Sequence, residues 1–283
     1  MSPLSDFSDS WKLINAIREV DPHGSTNEQF LSGYAIKFYG DELTSPGIFE
    51  AQFLVLECLF QLIENAYRYR AETKHFFNQS QYFCYHFNAC RLDNEIVNAS
   101  RIQLDHYRYI ATGAPSQLKF GAQSSGEQYL KLLKQHNVKL VVALDQREKY
   151  WEEDNQEGPV VERELYFENH RITQLVCDWP DGGPPKKKAL DLLLSKMEQY
   201  AKTESPIAVH CFAGLGRTGT LIATFEAYNT IKSGCEVVNP FRSVVLMRLQ
   251  RMSMVQTPEQ YASIVKAAKR HFKALKEQAP PEH

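Results

Sequence analysis

The chain has 283 residues, enough for one large domain or two small ones, and its 43% hydrophobic and 23% charged residues are the balance of a globular protein with a sizeable core. A formal net charge of -2 gives no global basic field, so nucleic acid and anionic membranes are not expected partners. No stretch reaches the roughly 18 to 20 apolar residues that span a bilayer, so no integral membrane segment is expected.

The opening MSPLSDFSDSWKL has no basic flank followed by an apolar core, so it does not read as a secretory signal. Residues 1–45 read as a helical N-terminal extension of the same domain, with a short helix from Asp9 to Val20. From Ile48 to Tyr69 there is no Gly or Pro, and Phe49, Phe53, Leu56, Phe60 and Ile63 recur at helical steps, which predicts a core-facing helix. Residues 79–113 are aromatic and irregular and read as short strands and loops. Gly126 to His136 reads as a helix and Val138 to Leu144 as a buried strand. An acidic turn (Glu152 to Pro159) leads into strands at Val160 to Phe167 and Arg171 to Cys177. An amphipathic helix follows (Ala189 to Lys202), then a short buried strand (Ile207 to His210) and a helix from Arg217 to Ser233. Two further helices, Asn239 to Gln250 and Pro258 to Ala274, precede a tail (276–283) expected to be disordered. The pattern predicts one α/β (α+β) domain over 46–275. The six cysteines show neither CxxC pairing nor zinc spacing, so the expectation is no metal, a reducing compartment and a cytoplasmic location, whether of its own cell or of a host that receives it.

Three segments carry chemistry. The first is HCFAGLGRTG, His210 to Gly219, between a strand and a helix. Its three glycines let the backbone turn its N–H groups inward, and the helix N-terminus that follows favours an anion. Arg217 supplies a planar fork for two phosphate oxygens. Donors of this kind also favour the thiolate, the nucleophilic form of cysteine, so Cys211 is placed to attack a held phosphate. The second segment is WPDGGP, Trp179 to Pro184, a loop that can carry Asp181 as a mobile proton donor. The third is VQTPEQY, Val255 to Tyr261, whose glutamines can position a water.

Together these segments resemble the HCxxGxxR[ST]G, WPDxGxP and QTxxQY signatures of cysteine-dependent protein tyrosine phosphatases. The resemblance covers about residues 90 to 275. It implies a single phosphatase-like domain with a central twisted mixed sheet flanked by helices. It implies Cys211 as nucleophile, Asp181 as general acid, Arg217 and the amides of Phe212, Ala213, Gly214, Leu215 and Gly216 as the phosphate cradle, and Thr218 on the leaving thiolate. Gln256 would orient the hydrolytic water with Gln260 in support. His210 would tune the loop from behind, and Trp179 would anchor the acid loop. In VVALDQRE the resemblance places an acidic partner for Arg217, with Glu148 the first candidate and Asp145 the second. Asp93 would hold the substrate backbone. Arg248 and Arg251 read equally as core ion pairs or surface charges.

The chain also departs from the family. Classical members carry an Asn-Arg-Tyr segment whose tyrosine stacks on the substrate ring. Here the stretch is NACRLDNEIVNASRI, and Arg91 or Leu92 stands near the missing tyrosine. The Tyr-Ile-Asn-Ala-Ser strand of the family reads as compressed into Asp105 to Arg108. Tyr82, Tyr85 or Tyr107 can replace the lost aromatic, or each can be a core residue. The expected function is therefore hydrolysis of phosphotyrosine in proteins through a cysteinyl phosphate, by a monomer with no cofactor. The alternative is a dual-specificity, inositol-phosphate or phosphoinositide phosphatase, and the remote one an inactive phosphotyrosine-binding module.

Overall fold

The structure is a computed structural model. It describes residues 36–37, 52–54, 56–57, 60, 84–85, 87–119, 125–147, 149–151, 157–181, 183–201, 204–235 and 237–278. Nine strands are placed among them: β1 (Ile36–Lys37), β2 (Ala89–Leu92), β3 (Glu95–Gln103), β4 (Arg108–Thr112), β5 (Leu140–Ala143), β6 (Val161–Phe167), β7 (His170–Val176), β8 (Ile207–His210) and β9 (Val237–Val238). Five α-helices follow the same order: α1 (Gly126–Gln135), α2 (Lys187–Tyr200), α3 (Gly216–Lys232), α4 (Pro240–Arg248) and α5 (Pro258–Gln278).

Seven strands form one sheet in the order β2-β3-β4-β8-β5-β7-β6. The four central strands β4, β8, β5 and β7 run parallel, and the antiparallel strands flank them on both sides. Parallel strands buried on both faces read as unbroken apolar runs, and β5 (LVVA) and β8 (IAVH) are buried at every position. Their alternation still sorts side chains between the two faces. Leu140, Val142, Ile207 and Val209 join the large core with α2, α3, α4 and α5, whereas Val141 and Ala208 join the smaller core under α1. Helix α1 starts at a capping box, in which Ser125 Oγ accepts from Gln128 N at 3.2 Å. Helix α3 leaves β8 and is buried around most of its circumference, which explains its weak amphipathic pattern in the sequence.

The expected helix in 48–69 is present in its described part, where Phe53, Leu56 and Phe60 are buried in the large core. Two expectations change. The strand expected at Asp105–Arg108 is instead the long β3, whose Ala99 to Gln103 pair with Thr112 back to Arg108; residues 105–107 are the turn between β3 and β4. Helix α5 runs on to Gln278, so residues 276–278 are helical rather than tail. Within the expected N-terminal extension the two described residues form β1, paired with β9; the helix expected at Asp9–Val20 lies outside the described residues.

Candidate active site

The site stands at the carboxyl end of β8, the middle of the parallel part of the sheet. The chain leaves the strand at His210, turns through 211–215 and enters α3 at Gly216. The turn needs a left-handed residue, and Gly214 has φ +73. A Cβ there would lie 2.2 Å from the Thr112 carbonyl oxygen, so no other residue fits.

Four consecutive carbonyls of this loop are held from outside. The oxygen of Phe212 accepts from Ala114 N at 2.9 Å, and that of Leu215 from Val255 N at 3.4 Å. Between them, Arg251 donates from Nη2 to Ala213 O at 3.0 Å and from Nε to Gly214 O at 2.9 Å. Arg251 is completely buried, and Ser100 Oγ (3.1 Å) and Asn98 Oδ1 (2.6 Å) of β3 fix its remaining donors. With the carbonyls turned outward, the peptide planes turn their N–H groups to the other side, toward the mouth of the loop. The first turn of α3 has no side-chain cap, so its orphan amides add to the same donor surface.

Cys211 begins this loop. Its Sγ accepts from Thr218 Oγ1 at 3.3 Å. Burial is the largest influence on two buried thiols away from the loop and pushes Cys90 up to about 12 and Cys177 up to about 11. Behind Cys211, His210 is fully buried, and burial lowers it to about 4, so it is neutral near pH 7. Its Nδ1 lies 3.4 Å from the Cys211 carbonyl and its Nε2 2.9 Å from Tyr150 Oη, a geometry in which Nδ1 donates and Nε2 accepts from the phenol.

Arg217, at the second position of α3, is buried and almost fully tied down. Nη1 donates to Leu144 O (3.1 Å) and to Trp179 O (3.0 Å), and Nη2 to Asp145 Oδ2 (2.8 Å). Its Nε–H alone has no partner among the described residues. Asp145 is therefore the acidic partner that the sequence ranked second, and the first choice, Glu148, lies outside the described residues. Burial pushes Asp145 up, but the hydrogen bonds from Arg147 and Arg217 together outweigh it and hold the carboxyl at about 2.

The acid loop closes the other side. Trp179 is buried and its Nε1 donates to Gly183 O at 3.0 Å, which fixes the loop's base. Asp181 is 71% exposed, with Oδ1 3.2 Å from Arg217 Nη2 and Oδ2 3.8 Å from Arg147 Nη2. The glutamines lie over Gly216, where an added Cβ would meet Gln260 Nε2 at 2.7 Å and Gln256 Oε1 at 2.8 Å. Gln260 Oε1 accepts from Gln256 N at 2.8 Å, so one glutamine braces the other.

Family similarity enters at this point. The protein-tyrosine phosphatase family model matches residues 153–270, which include β8, the Cys211 loop, Asp181 and both glutamines. That match covers 118 of the chain's 283 residues, and over that stretch the chain is similar to protein-tyrosine phosphatases. It is 41% identical over 103 residues to mouse tyrosine-protein phosphatase non-receptor type 4, a stretch covering 35% of this chain and 11% of that protein. It is 41% identical over 86 residues to the Arabidopsis thaliana protein-tyrosine-phosphatase PTP1 (30% and 25%). It is 30% identical over 213 residues to mouse receptor-type tyrosine-protein phosphatase F (62% and 11%). The matched part thus spans no more than a quarter of the length of any of these relatives. The fold matches the Trypanosoma brucei protein tyrosine phosphatase TbPTP1 with a TM-score of 0.63 and 24% identity, over 84% of this chain and 96% of that one. It also matches the catalytic domain of human protein tyrosine phosphatase non-receptor type 18 with a TM-score of 0.60 and 20% identity (80% and 96%). No helix among the described residues is long and apolar enough to cross a membrane.

Other expected site residues have partners away from the loop. Asp93 lies with Asn94 in the tight β2–β3 turn, both with positive φ, and its carboxylate pairs with Lys131 of α1 at 2.8 Å. Both side chains of that pair are about half exposed. Tyr85 is buried with its hydroxyl on Arg248 O, and the half-buried Tyr107 stacks on Phe225 of α3 against the large core. Tyr82 lies outside the described residues. Arg248 is buried as well, donating to Met254 O and Val255 O and pairing with Glu57 at 2.7 Å. Three residues at the site escaped the sequence reading: Tyr150, Arg147 and Asn98. Arg147 stood within the quoted VVALDQRE segment, and Asn98 within NACRLDNEIVNASRI, but spacing gave neither a partner.

Proposed function

We propose that the chain is a protein tyrosine phosphatase that hydrolyses phosphotyrosine in proteins through a cysteinyl-phosphate intermediate. The observation that carries this reading is the pairing of Cys211 with Arg217. Two guanidinium nitrogens are committed to fixed acceptors, and the buried Nε–H is left as a donor for an incoming oxyanion. An unpaired buried donor costs free energy that a phosphate oxygen would recover.

In the first step Cys211 Sγ, as thiolate, attacks phosphorus and the bond from phosphorus to the phenolic oxygen breaks. The loop amides of 212–217 and Arg217 stabilise the charge spread over the three equatorial oxygens, which should be the largest catalytic contribution. Asp181 gives its proton to the leaving oxygen. In the second step Asp181 takes a proton from a water that Gln256 orients. That water attacks phosphorus, the sulfur–phosphorus bond breaks, and inorganic phosphate and the thiolate are released. Thr218 donates to the sulfur and supports the thiolate as leaving group. Neither step requires a metal or cofactor. Phosphotyrosine proteins are the expected partners of a cytoplasmic monomer.

A second reading, a phosphatase for inositol phosphates or phosphoinositides, draws on Lys186, Lys187 and Lys188, which are exposed at the start of α2 just after the acid loop. The loop itself argues against it, because Phe212 to Gly216 contain no base. The test is a matched panel of phosphotyrosine peptide, phosphoserine peptide, inositol polyphosphate and phosphoinositide, with Cys211→Ser as the blank. Cys211→Ser should lower turnover by on the order of 10⁴-fold or more. Preference for the phosphotyrosine peptide supports the first reading. Faster turnover of an inositol substrate would replace it with the second.

A further inference from the structure

We infer that Arg147 is a specificity-determining residue, a flat cationic wall on which the aryl group of the substrate stacks. The inference rests on the reading of Asp181 as the proton donor. Arg147 belongs to the loop after β5, and its side chain is 56% exposed. It is nonetheless fixed in pose. Its Nε donates to both oxygens of Asp145 at 2.9 and 3.0 Å, its Nη2 pairs with Asp145 Oδ2, and its backbone N–H donates to Asp145 Oδ1 at 2.9 Å. Asp145 is the same carboxylate that holds Arg217. One face of the guanidinium lies over the Phe212 ring, with Cζ 4.8 Å from the ring centroid. Phe212 follows the nucleophile directly and is 38% exposed, a large apolar side chain beside the catalytic thiol.

The position relative to substrate follows from one distance. Arg147 Nη2 is 3.8 Å from Asp181 Oδ2. A leaving oxygen must come within roughly 2.6 to 3.2 Å of that carboxyl to receive its proton. An oxygen that approaches from the Arg147 side brings its first carbon within reach of the guanidinium. A planar guanidinium held by a carboxylate keeps its free face for a ring, because guanidinium groups stack on aromatic faces. The order Phe212, Arg147, substrate ring would form a layered wall from groups of the catalytic loop and the β5 loop. Such a wall serves the chemistry that the absent Asn-Arg-Tyr tyrosine would otherwise serve. It also places a cation where negative charge grows on the leaving oxygen.

The wall predicts a preference for aryl over alkyl that should vanish with the guanidinium, while phosphate binding stays. The probes are phenylphosphonate, methylphosphonate and inorganic phosphate, titrated into the protein by phosphorus NMR, so that turnover is not needed. In Arg147→Gln the ratio of methyl to phenyl dissociation constants should fall about fivefold or more, with inorganic phosphate within twofold of the parent. Arg147→Lys keeps the charge but not the plane, and should leave the ratio low. Phe212→Ser, which removes the backing ring, should shift the ratio in the same direction by less. An unchanged ratio in Arg147→Gln overturns the inference and leaves the phosphatase reading standing. So does an equal weakening of all three anions, which would make Arg147 only a prop for Asp145. If the parent binds none of the three, the phosphate-site reading falls and the inference falls with it.

Discussion

The two sides of the catalytic loop are built from different physics. Its floor is largely buried: Arg251, Asn98, Ser100 and His210, with the half-buried Tyr150, make direct hydrogen bonds that fix the loop's carbonyls and the imidazole. Its mouth is a ring of alternating charges, Arg147, Asp145, Arg217 and Asp181, of which Arg147 and Asp181 are more than half exposed. Buried hydrogen-bond networks hold geometry and are costly to break. Exposed pairs are worth little and yield to a competing anion. The floor therefore shapes the cradle, and at the mouth the exposed Asp181 can exchange partners as a substrate enters.

The comparison predicts that mouth variants change rate without stability, and floor variants change both. The largest effect in rate should come from Asp181→Ala, which removes the proposed proton donor and should lower kcat by about 10²–10⁴-fold. Its melting temperature should match the parent's, because the carboxylate is exposed. A melting temperature that falls with kcat would break the division between mouth and floor. Next is Arg251→Met. It strips the carbonyls of Ala213 and Gly214 of their donor and leaves Asn98 Oδ1 and Ser100 Oγ without theirs, so about 3 kcal/mol of stability or more should be lost. That corresponds to a melting temperature lower by roughly 5–10 °C, with phosphate affinity reduced as the cradle loosens. A smaller effect is expected from Tyr150→Phe, which leaves His210 Nε2 buried without its donor and should cost about 1 kcal/mol in chemical denaturation. If Tyr150→Phe were as costly as Arg251→Met, the floor would depend on its back rather than on the arginine.

The sequence disclosed these two sides unequally. The strand, loop and helix around Cys211 were legible because their residues answer to local geometry: an apolar strand, a left-handed turn at Gly214 and a helix that opens directly behind it. The same holds for Trp179 to Pro184 and for Gln256 and Gln260. The partner of Arg217 was not settled, because Asp145 and Glu148 are three residues apart in sequence and spacing alone does not choose between them; the hydrogen bond names Asp145. Arg251 read equally as core or surface, since its acceptors are carbonyls and two short polar side chains of β3 about 150 residues away in sequence. The β3 strand was misplaced because Ser100 to Ile102 fits a Ser-Arg-Val template by itself, while the pairing with β4 fixes the register over the whole nine residues. Asp93 took its offset from that template, and the tight turn with Lys131 gives it another place.

A pH profile separates two buried titratable groups of the fold. His210 is lowered from its ordinary 6.5 to about 4, by burial first. Its unfolded form takes up a proton before its folded form, so the stability it supports is present above pH 6.5 and lost as pH falls toward 4. Glu226 of α3 behaves oppositely. Burial raises it from 4.5 to about 7, against the hydrogen bonds from Tyr109 Oη and from the His106 and Tyr107 amides. Its unfolded form loses a proton first, so stability falls as pH rises from 4.5 to 7. Between pH 4.5 and 6.5 the two slopes, each of about one proton, oppose and largely cancel. Glu226→Gln keeps the shape and removes one slope. Its stability, from denaturant titrations at a series of pH values, should rise with pH across that window where the parent's stays nearly level. A difference between variant and parent that does not change from pH 4.5 to 7 would mean that Glu226 does not titrate there. The level profile would then have to come from a His210 less buried than its contacts with Tyr129 and Tyr150 imply.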